Sequence, residues 1–394
     1  MTAIGRSHGF NKFEIHDRLW ANHPQRRAHA MRRNGTMASR TRNWLKALAL
    51  ALPMGASAVV TPQHGHAAEE PAAKQLFGSV TLPALAAPVP YGFYSKGCIA
   101  GAVAIPADGP NWQAMRLSRN RRWGHPQMIS LIERLSKDAP SIGWPGLLIG
   151  DVSQPRGGPM LNGHASHQIG LDADVWLTPM PDRRLSVQER EDMPFTSMLQ
   201  EKKFLTINPR TWTQAHARLI MLAASYPQVE RIFVNPAIKK KLCDTWKGDR
   251  SALGKVRPVY GHDAHFHIRI KCPQGAAGCK PQAAVPAGDG CDKSLAWWFT
   301  DEPWAKPKKD PNAKPPKPPR PMQLSDMPKA CAAVLAAPGP QNEMEVTYGG
   351  GTSPVSALAP SPAPSTGIAA ALAAEHPAEL PVVVPVPVPR PAQY

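Results

Sequence analysis

The sequence predicts an α+β fold: a small antiparallel sheet flanked by helices and long loops, and stabilised by disulfides. Three observations carry that class. Two distant stretches, "LDADVWL" at 171–177 and "HFHIRI" at 265–270, alternate apolar and polar residues with the period of a strand. Helical periods and short apolar runs are interspersed with them, without the regular rhythm of βαβ units. Six cysteines, an even number, accompany an export-type start to the chain.

In chain order, arginines crowd positions 26–42 and are followed by "WLKALALALPMGASAVV" at 44–60. Lys46 and Pro53 interrupt that run, which is short for a membrane span, and Ala56-Ser57-Ala58 or Gly65-His66-Ala67 offers a cleavage site. Residues 1–67 therefore read as a basic leader and signal peptide. Residues 68–96 read as a linker, 97–335 as the folded domain and 336–394 as a disordered tail rich in Pro and Ala. The prolines, 45 in all, cluster in "KPKKDPNAKPPKPPRP" within 304–321 and in "ELPVVVPVPVPRPAQY" at the end. Each removes a donor that a helix or sheet needs. No stable membrane span is expected once the signal is removed.

Within the domain, "HPQMISLIERLSKDA" places Met128, Leu131, Ile132 and Leu135 on one helical face. "PGLLIG" at 145–150 is a short buried strand. A second helix is expected over 211–225, with Trp212, Ala215, Leu219, Leu222 and Ala223 on its apolar side. "VERIFV" at 229–234 reads as a strand, and "PAIKKKLCDTW" as a helix opened by Pro236.

The formal net charge is +17. Residues 1–58 carry ten Lys/Arg against two Asp/Glu, which leaves +9 on the remainder. A moderately basic exported chain suits an anionic cell envelope. Nucleic acid is not an expected partner, because no helix-turn-helix or RNP-like pattern accompanies the charge. No cysteine pair has C-x-x-C spacing, so three disulfides are expected rather than a structural zinc site. Spacing leaves all fifteen connectivities open.

Strand alternation carries the functional reading. Leu171, Ala173, Val175 and Leu177 share one face, and Asp172 and Asp174 the other. In the second strand Phe266, Ile268 and Ile270 oppose His265, His267 and Arg269. Paired as neighbours, the two strands would bring Asp174, His265 and His267 together, with His167 arriving from the preceding loop. Zinc takes imidazole nitrogen and carboxylate oxygen, and a catalytic site keeps one position for water. A histidine left off the metal can move the proton. An H-x-H or H-x-x-H alone is weak, since His64-Gly65-His66 also occurs in the leader.

"GHASHQIGLDADVWL" followed by "VRPVYGHDAHFHIRIKCP" resembles the penicillin-insensitive murein endopeptidases, exported zinc peptidases of the lysostaphin, D-Ala-D-Ala peptidase and hedgehog-type group. The resemblance extends over roughly residues 90–335, through "GCIAG", "RRWGHPQMI", "RIFVNPAIKKKLC" and "GDGC". It implies that His167, Asp174 and His267 bind zinc and that His265 is the general base. His164 and His262 match two further active-site histidines, His164 grouped with the metal set and His262 with the catalytic pair. It also implies the pairs Cys98–Cys331, Cys243–Cys291 and Cys272–Cys279. One zinc ion is expected. A second is not, because "LQEKKFLTINPRTW" has Glu201 but lacks the histidine that some members place there. The implied activity is hydrolysis of the D-alanyl–meso-diaminopimelyl cross-link of peptidoglycan, in the periplasm. Arg156, in "QPRGG", is a candidate for a substrate carboxylate. Alternatives are a D,D-carboxypeptidase acting on stem peptides, a non-catalytic peptidoglycan-binding protein and a periplasmic zinc buffer. The sequence leaves the oligomeric state open.

Overall fold

We describe residues 70–305 and 319–349 from a computed structural model. The expected leader with its cleavage sites, most of the 304–321 segment and the tail beyond residue 349 lie outside the described residues. The first half holds helix α1 (Ala73–Gly78), strands β1 (Val89–Phe93), β2 (Lys96–Ala100), β3 (Val103–Ala104), β4 (Asp108–Gly109), β5 (Trp112–Ala114) and β6 (Trp123–Gly124), and helix α2 (Pro126–Asp138). Next come β7 (Leu147–Ile149), β8 (Asp172–Trp176), α3 (Val187–Asp192), α4 (Gln214–Ser225) and β9 (Val229–Val234). The last described elements are α5 (Pro236–Thr245), β10 (Val256–Pro258), β11 (His265–Ile270), α6 (Lys293–Ala296) and α7 (Ala330–Ala336).

The principal sheet runs β10-β9-β11-β8-β7-β5-β4. Its centre is antiparallel, β11 pairing with β8 on one side and β9 on the other, while β9–β10 and β5–β7 are parallel pairs. The two strands with alternating faces are thus direct neighbours, with His267 opposite Asp174 and Arg269 opposite Asp172. Their aliphatic faces are buried: Ala173, Val175, Phe266, Ile268 and Ile270 are all fully inaccessible. They join Met128, Leu131, Ile132 and Leu135 of α2 and Leu219, Ile220 and Ala223 of α4 in one core. Each large side chain so buried contributes about 1.5–3 kcal/mol over its exposed state.

Local chemistry sets the helix starts. Pro126 and Pro236 occupy first-turn positions, where a missing N–H costs nothing. Asn235 caps α5 by accepting from Ala237 N at 2.9 Å. Among the described residues no helix is long and apolar enough to cross a membrane.

Three disulfides close the domain: Cys98–Cys331, Cys243–Cys291 and Cys272–Cys279. The expected ends of the domain need correction. Residues 68–96 are not a plain linker, because α1 buries Ala73 and Phe77 against Cys98, Cys331 and Val334, and β1 forms a hairpin with β2. The first part of the expected tail is also built in. Val346 is buried with Ile99, Ala102, Ala104 and Trp123, Tyr348 N donates to Ala104 O at 2.9 Å, and Glu343 pairs with Arg122. Isolated anchors such as Phe77 and Val346 have no periodic neighbours, so a period-based reading passes over them.

Candidate metal centre

β8 and β11 set the floor of the site, and their polar faces carry it. Asp174 Oδ1 lies 3.4 Å from His167 Nε2, 3.6 Å from His267 Nδ1 and 3.8 Å from His265 Nε2. The other oxygen, Oδ2, lies 3.3 Å from His164 Nε2. His167, Asp174 and His267 are buried, and His164, His262 and His265 are half-buried. His164, His167 and Asp174 form a donor group whose ligand atoms all lie within 4.8 Å of one another. His267 joins it through the shared oxygen of Asp174.

Each ring is aimed by a neighbour. His167 lies in the loop before β8, in left-handed backbone at φ 65°, with its N–H on Asp172 Oδ2 at 3.0 Å. Its Nδ1–H donates to Val152 O at 2.7 Å, which leaves the Nε2 lone pair pointing at Asp174. The loop is pinned from outside by Gly157, at φ 66°, where a Cβ would stand 2.0 Å from Gln168 O. His267 Nε2–H donates to Asp172 Oδ1 at 2.9 Å, so its Nδ1 lone pair also faces Asp174. Arg269 completes that support with Nε on Asp172 Oδ1 at 2.7 Å and Nη2 on Oδ2 at 3.2 Å.

Charge follows this arrangement. Burial alone would raise the Asp172 carboxyl, but Arg269 and His267 hold it well below the usual carboxylate range. Burial likewise opposes ionisation of Asp174, and the surrounding His167, His265 and His164 outweigh it. His267 is lowered to about 4, mainly by burial, and is therefore neutral at pH 7 with its lone pair available.

The donor set fits a divalent ion. His167 Nε2, Asp174 Oδ1 and His265 Nε2 are buried atoms without a hydrogen-bond partner among the described residues. The neutral His267 turns an Nδ1 lone pair towards Asp174 Oδ1, and Asp174, outweighing burial, raises the pKa of His167. A cation is therefore favoured at this carboxylate, either as a proton on His167 or as a metal ion held by the three groups. An ion bonded at about 2.0–2.1 Å in tetrahedral geometry would separate its donors by roughly 3.4 Å. The observed 3.4 and 3.6 Å match that spacing.

The remaining expected residues divide. His265 faces Asp174 at 3.8 Å, with its ring 4.9 Å from His262 and 6.5 Å from the half-exposed Phe195. His262 takes left-handed backbone at φ 53° and donates Nδ1–H to Tyr260 O at 2.9 Å. Asn235 ties this loop to the start of α5, its Nδ2 on Gly261 O at 2.9 Å and its N–H on His262 O at 3.0 Å. His164 bridges Asp174 and Asp151, at 3.1 Å from Asp151 Oδ2, and Arg121 and Arg119 hold Asp151 at 2.9 and 3.2 Å.

Arg156 is not in this group. Its guanidinium is buried and donates to Leu82 O, Val334 O and Leu335 O at 3.2, 2.7 and 2.6 Å, so it clamps the last turn of α7. A cation is favourable at a helix C-terminus, and these carbonyls take the Nε and Nη1 donors of Arg156.

Sequence reasoning had no role for Asp151, although it directly follows the "PGLLIG" strand. It put Asp172 on the site face beside the chosen ligand Asp174 but gave it no role. Phe195 and Val152 O left no signal.

The chain's similarities agree with the geometry. The profile of the family described as penicillin-insensitive murein endopeptidase matches residues 90–336. A penicillin-insensitive murein endopeptidase of Haemophilus influenzae is 46% identical over 231 residues, which is 58% of this chain and 79% of the relative. Proteins of the same name from Klebsiella pneumoniae and Yersinia enterocolitica are each 41% identical, over 62% and 63% of this chain and 85% and 89% of theirs.

Proposed function

Because the chain belongs to the penicillin-insensitive murein endopeptidase family, a family of peptidases, we propose that it hydrolyses the D-alanyl–meso-diaminopimelyl cross-link of peptidoglycan outside the cytoplasm, in the periplasm. One observation supports the site most directly. Asp174 Oδ1 gathers His167 Nε2 and His267 Nδ1 at metal-donor spacing, and both His167 Nε2 and Asp174 Oδ1 are buried without a hydrogen-bond partner among the described residues.

In this reading His167, Asp174 and His267 hold one zinc ion. When bound, zinc polarises a carbonyl and brings the pKa of water towards neutrality. The chain's own residues do the rest. Asp172 and Val152 O fix which nitrogen of His267 and His167 faces inward. His265 is kept neutral at pH 7, since burial lowers it, so its free Nε2 is able to take a proton from water. The same nitrogen, once protonated, returns that proton to the departing amine. His262 stands beside His265 with Nδ1 committed to Tyr260 O, so its Nε2 is the atom left to meet substrate. His164 orients Asp174 through its second oxygen. No serine ester forms in this scheme, so β-lactams have no acyl-enzyme to trap.

The test is incubation of the purified protein with cross-linked muropeptide dimers, with and without a chelator, followed by mass spectrometry. Chelator-sensitive conversion of dimers to monomers is expected. Intact dimers alongside trimming of pentapeptide monomers would replace the endopeptidase with a carboxypeptidase.

A further inference from the structure

Arg119 carries donors that the fold leaves open. It ends a short 3-10 turn, Leu117–Arg119, flanked by Arg116 and Asn120 in left-handed backbone at φ 56° and 51°. Its side chain is 40% exposed. Among the described residues it gives one N–H, to Asp151 Oδ2 at 3.2 Å. That oxygen is 3.1 Å from His164 Nε2, which is 3.3 Å from Asp174 Oδ2. The guanidinium therefore stands within about 10 Å of the Asp174 carboxylate.

Neighbouring arginines are committed elsewhere. Arg121 divides itself between Asp151 and Asn162, Arg269 between Asp172 and Gln282, and Arg116 donates to Arg190 O and Met193 O. A guanidinium has five N–H donors in a planar fork that matches a carboxylate edge-on. Fixing one corner on Asp151 orients the open edge before a ligand arrives, so little side-chain freedom remains to be lost.

We propose that Arg119 binds the carboxylate borne by the residue whose amine leaves, and thereby selects amides that carry an anion next to the scissile nitrogen. This rests on the peptidoglycan reading above. In that cross-link the scissile nitrogen sits on a diaminopimelate centre that also bears a carboxyl group. Standard bond lengths and one charged hydrogen bond place the guanidinium roughly 7 Å from the scissile carbonyl carbon. That span fits a guanidinium within about 10 Å of Asp174.

The test uses two defined cross-linked dimers, identical except that the carboxyl beside the scissile nitrogen is free in one and amidated in the other. The metal-loaded wild type and Arg119→Met are compared on both. The wild type should favour the free acid by ~10–100-fold in kcat/KM, the range for a lost charged hydrogen bond. In Arg119→Met that preference should collapse to within about twofold, and Arg119→Lys should retain part of it. If Arg119→Met slows both dimers equally and keeps the wild-type preference, Arg119 acts only by supporting Asp151 and the proposal is overturned. The same comparison is made by binding, with His265→Ala in place of the wild type and His265→Ala/Arg119→Met in place of the variant. Should the wild type cleave neither dimer, the hydrolase reading fails by itself. A binding preference for the free acid that disappears with Arg119 still supports the carboxylate site, and equal binding of both dimers sinks it.

Discussion

His265 Nε2 is buried, has no hydrogen-bond partner among the described residues, and looks at Asp174 from 3.8 Å. Its removal tests the division between ligand and base. His265→Ala should lower kcat by ~10²–10⁴-fold, the usual contribution of a general base, with bound metal unchanged by elemental analysis. Loss of the metal together with activity would instead place His265 among the ligands. Lys239 offers a second residue-scale prediction. It is fully buried, donates Nζ to Leu253 O and Asp289 O at 2.8 and 2.6 Å, and burial lowers it from 10.5 to about 7. Between those pH values the unfolded chain holds a proton that the folded chain has released, so stability should rise with pH across that window. The slope due to this group is at most ~1.4 kcal/mol per pH unit. Urea unfolding at pH 7, 8 and 9 should show wild type gaining on Lys239→Met; parallel curves would refute the buried-lysine account. How far residues were legible depended on what fixes their role. Period two put both aspartates on the site face and the resemblance picked out Asp174, but the supporting role of Asp172 comes only from the register, which sets Arg269 opposite it and His267 opposite Asp174. The contact of Arg156 with the end of α7 leaves no sequence signal, because the carbonyls it meets lie 178 and 179 residues away along the chain.

At the scale of elements, β8 and β11 were readable because each has an apolar back that must be buried and a polar front that must not. Alternation therefore fixes both their faces and their adjacency. α2 and α4 were readable for the same reason at helical period, and α5 from the Pro236 that opens it. The two-residue strands β3, β4 and β6 were not, since so short a segment holds no pattern and is defined only by its partner. Nor was the seating of α7, a seven-residue helix held by Cys331 and by the Arg156 clamp. That clamp predicts the outcome of Arg156→Met. Its carbonyl partners would lose a charged donor in a buried place, costing about 1.5–3 kcal/mol of stability. A lower Tm with kcat/KM on dimers unchanged below the transition is expected. A selective loss of kcat/KM at unchanged Tm would restore Arg156 to the substrate.

At the scale of the molecule, the two long helices pack on the aliphatic back of the sheet, the site lies on its polar front, and the ends of the domain are fastened by Cys98–Cys331 across 233 residues. Removing that bond in a Cys98→Ser/Cys331→Ser variant should cost about 5 kcal/mol by the loop-entropy relation, read as a fall in the urea midpoint. An unchanged midpoint would mean that α1 and α7 dock without it. The composition reading did not foresee that residues 70–96 and 337–349 belong to the packed body, because their anchors are single side chains seated in distant pockets. The same bond alters what a cut would do. The exposed stretch 201–204 separates His167 and Asp174 from His265 and His267. In an open thread, cleavage there would free two fragments, one with His167 and Asp174 and the other with His267 and the base His265. Here the chain is a ring closed through sulfur, and a single nick only opens the ring. Both halves stay covalently one molecule, so a chain clipped once at this stretch keeps His167, Asp174 and His267 on a single particle.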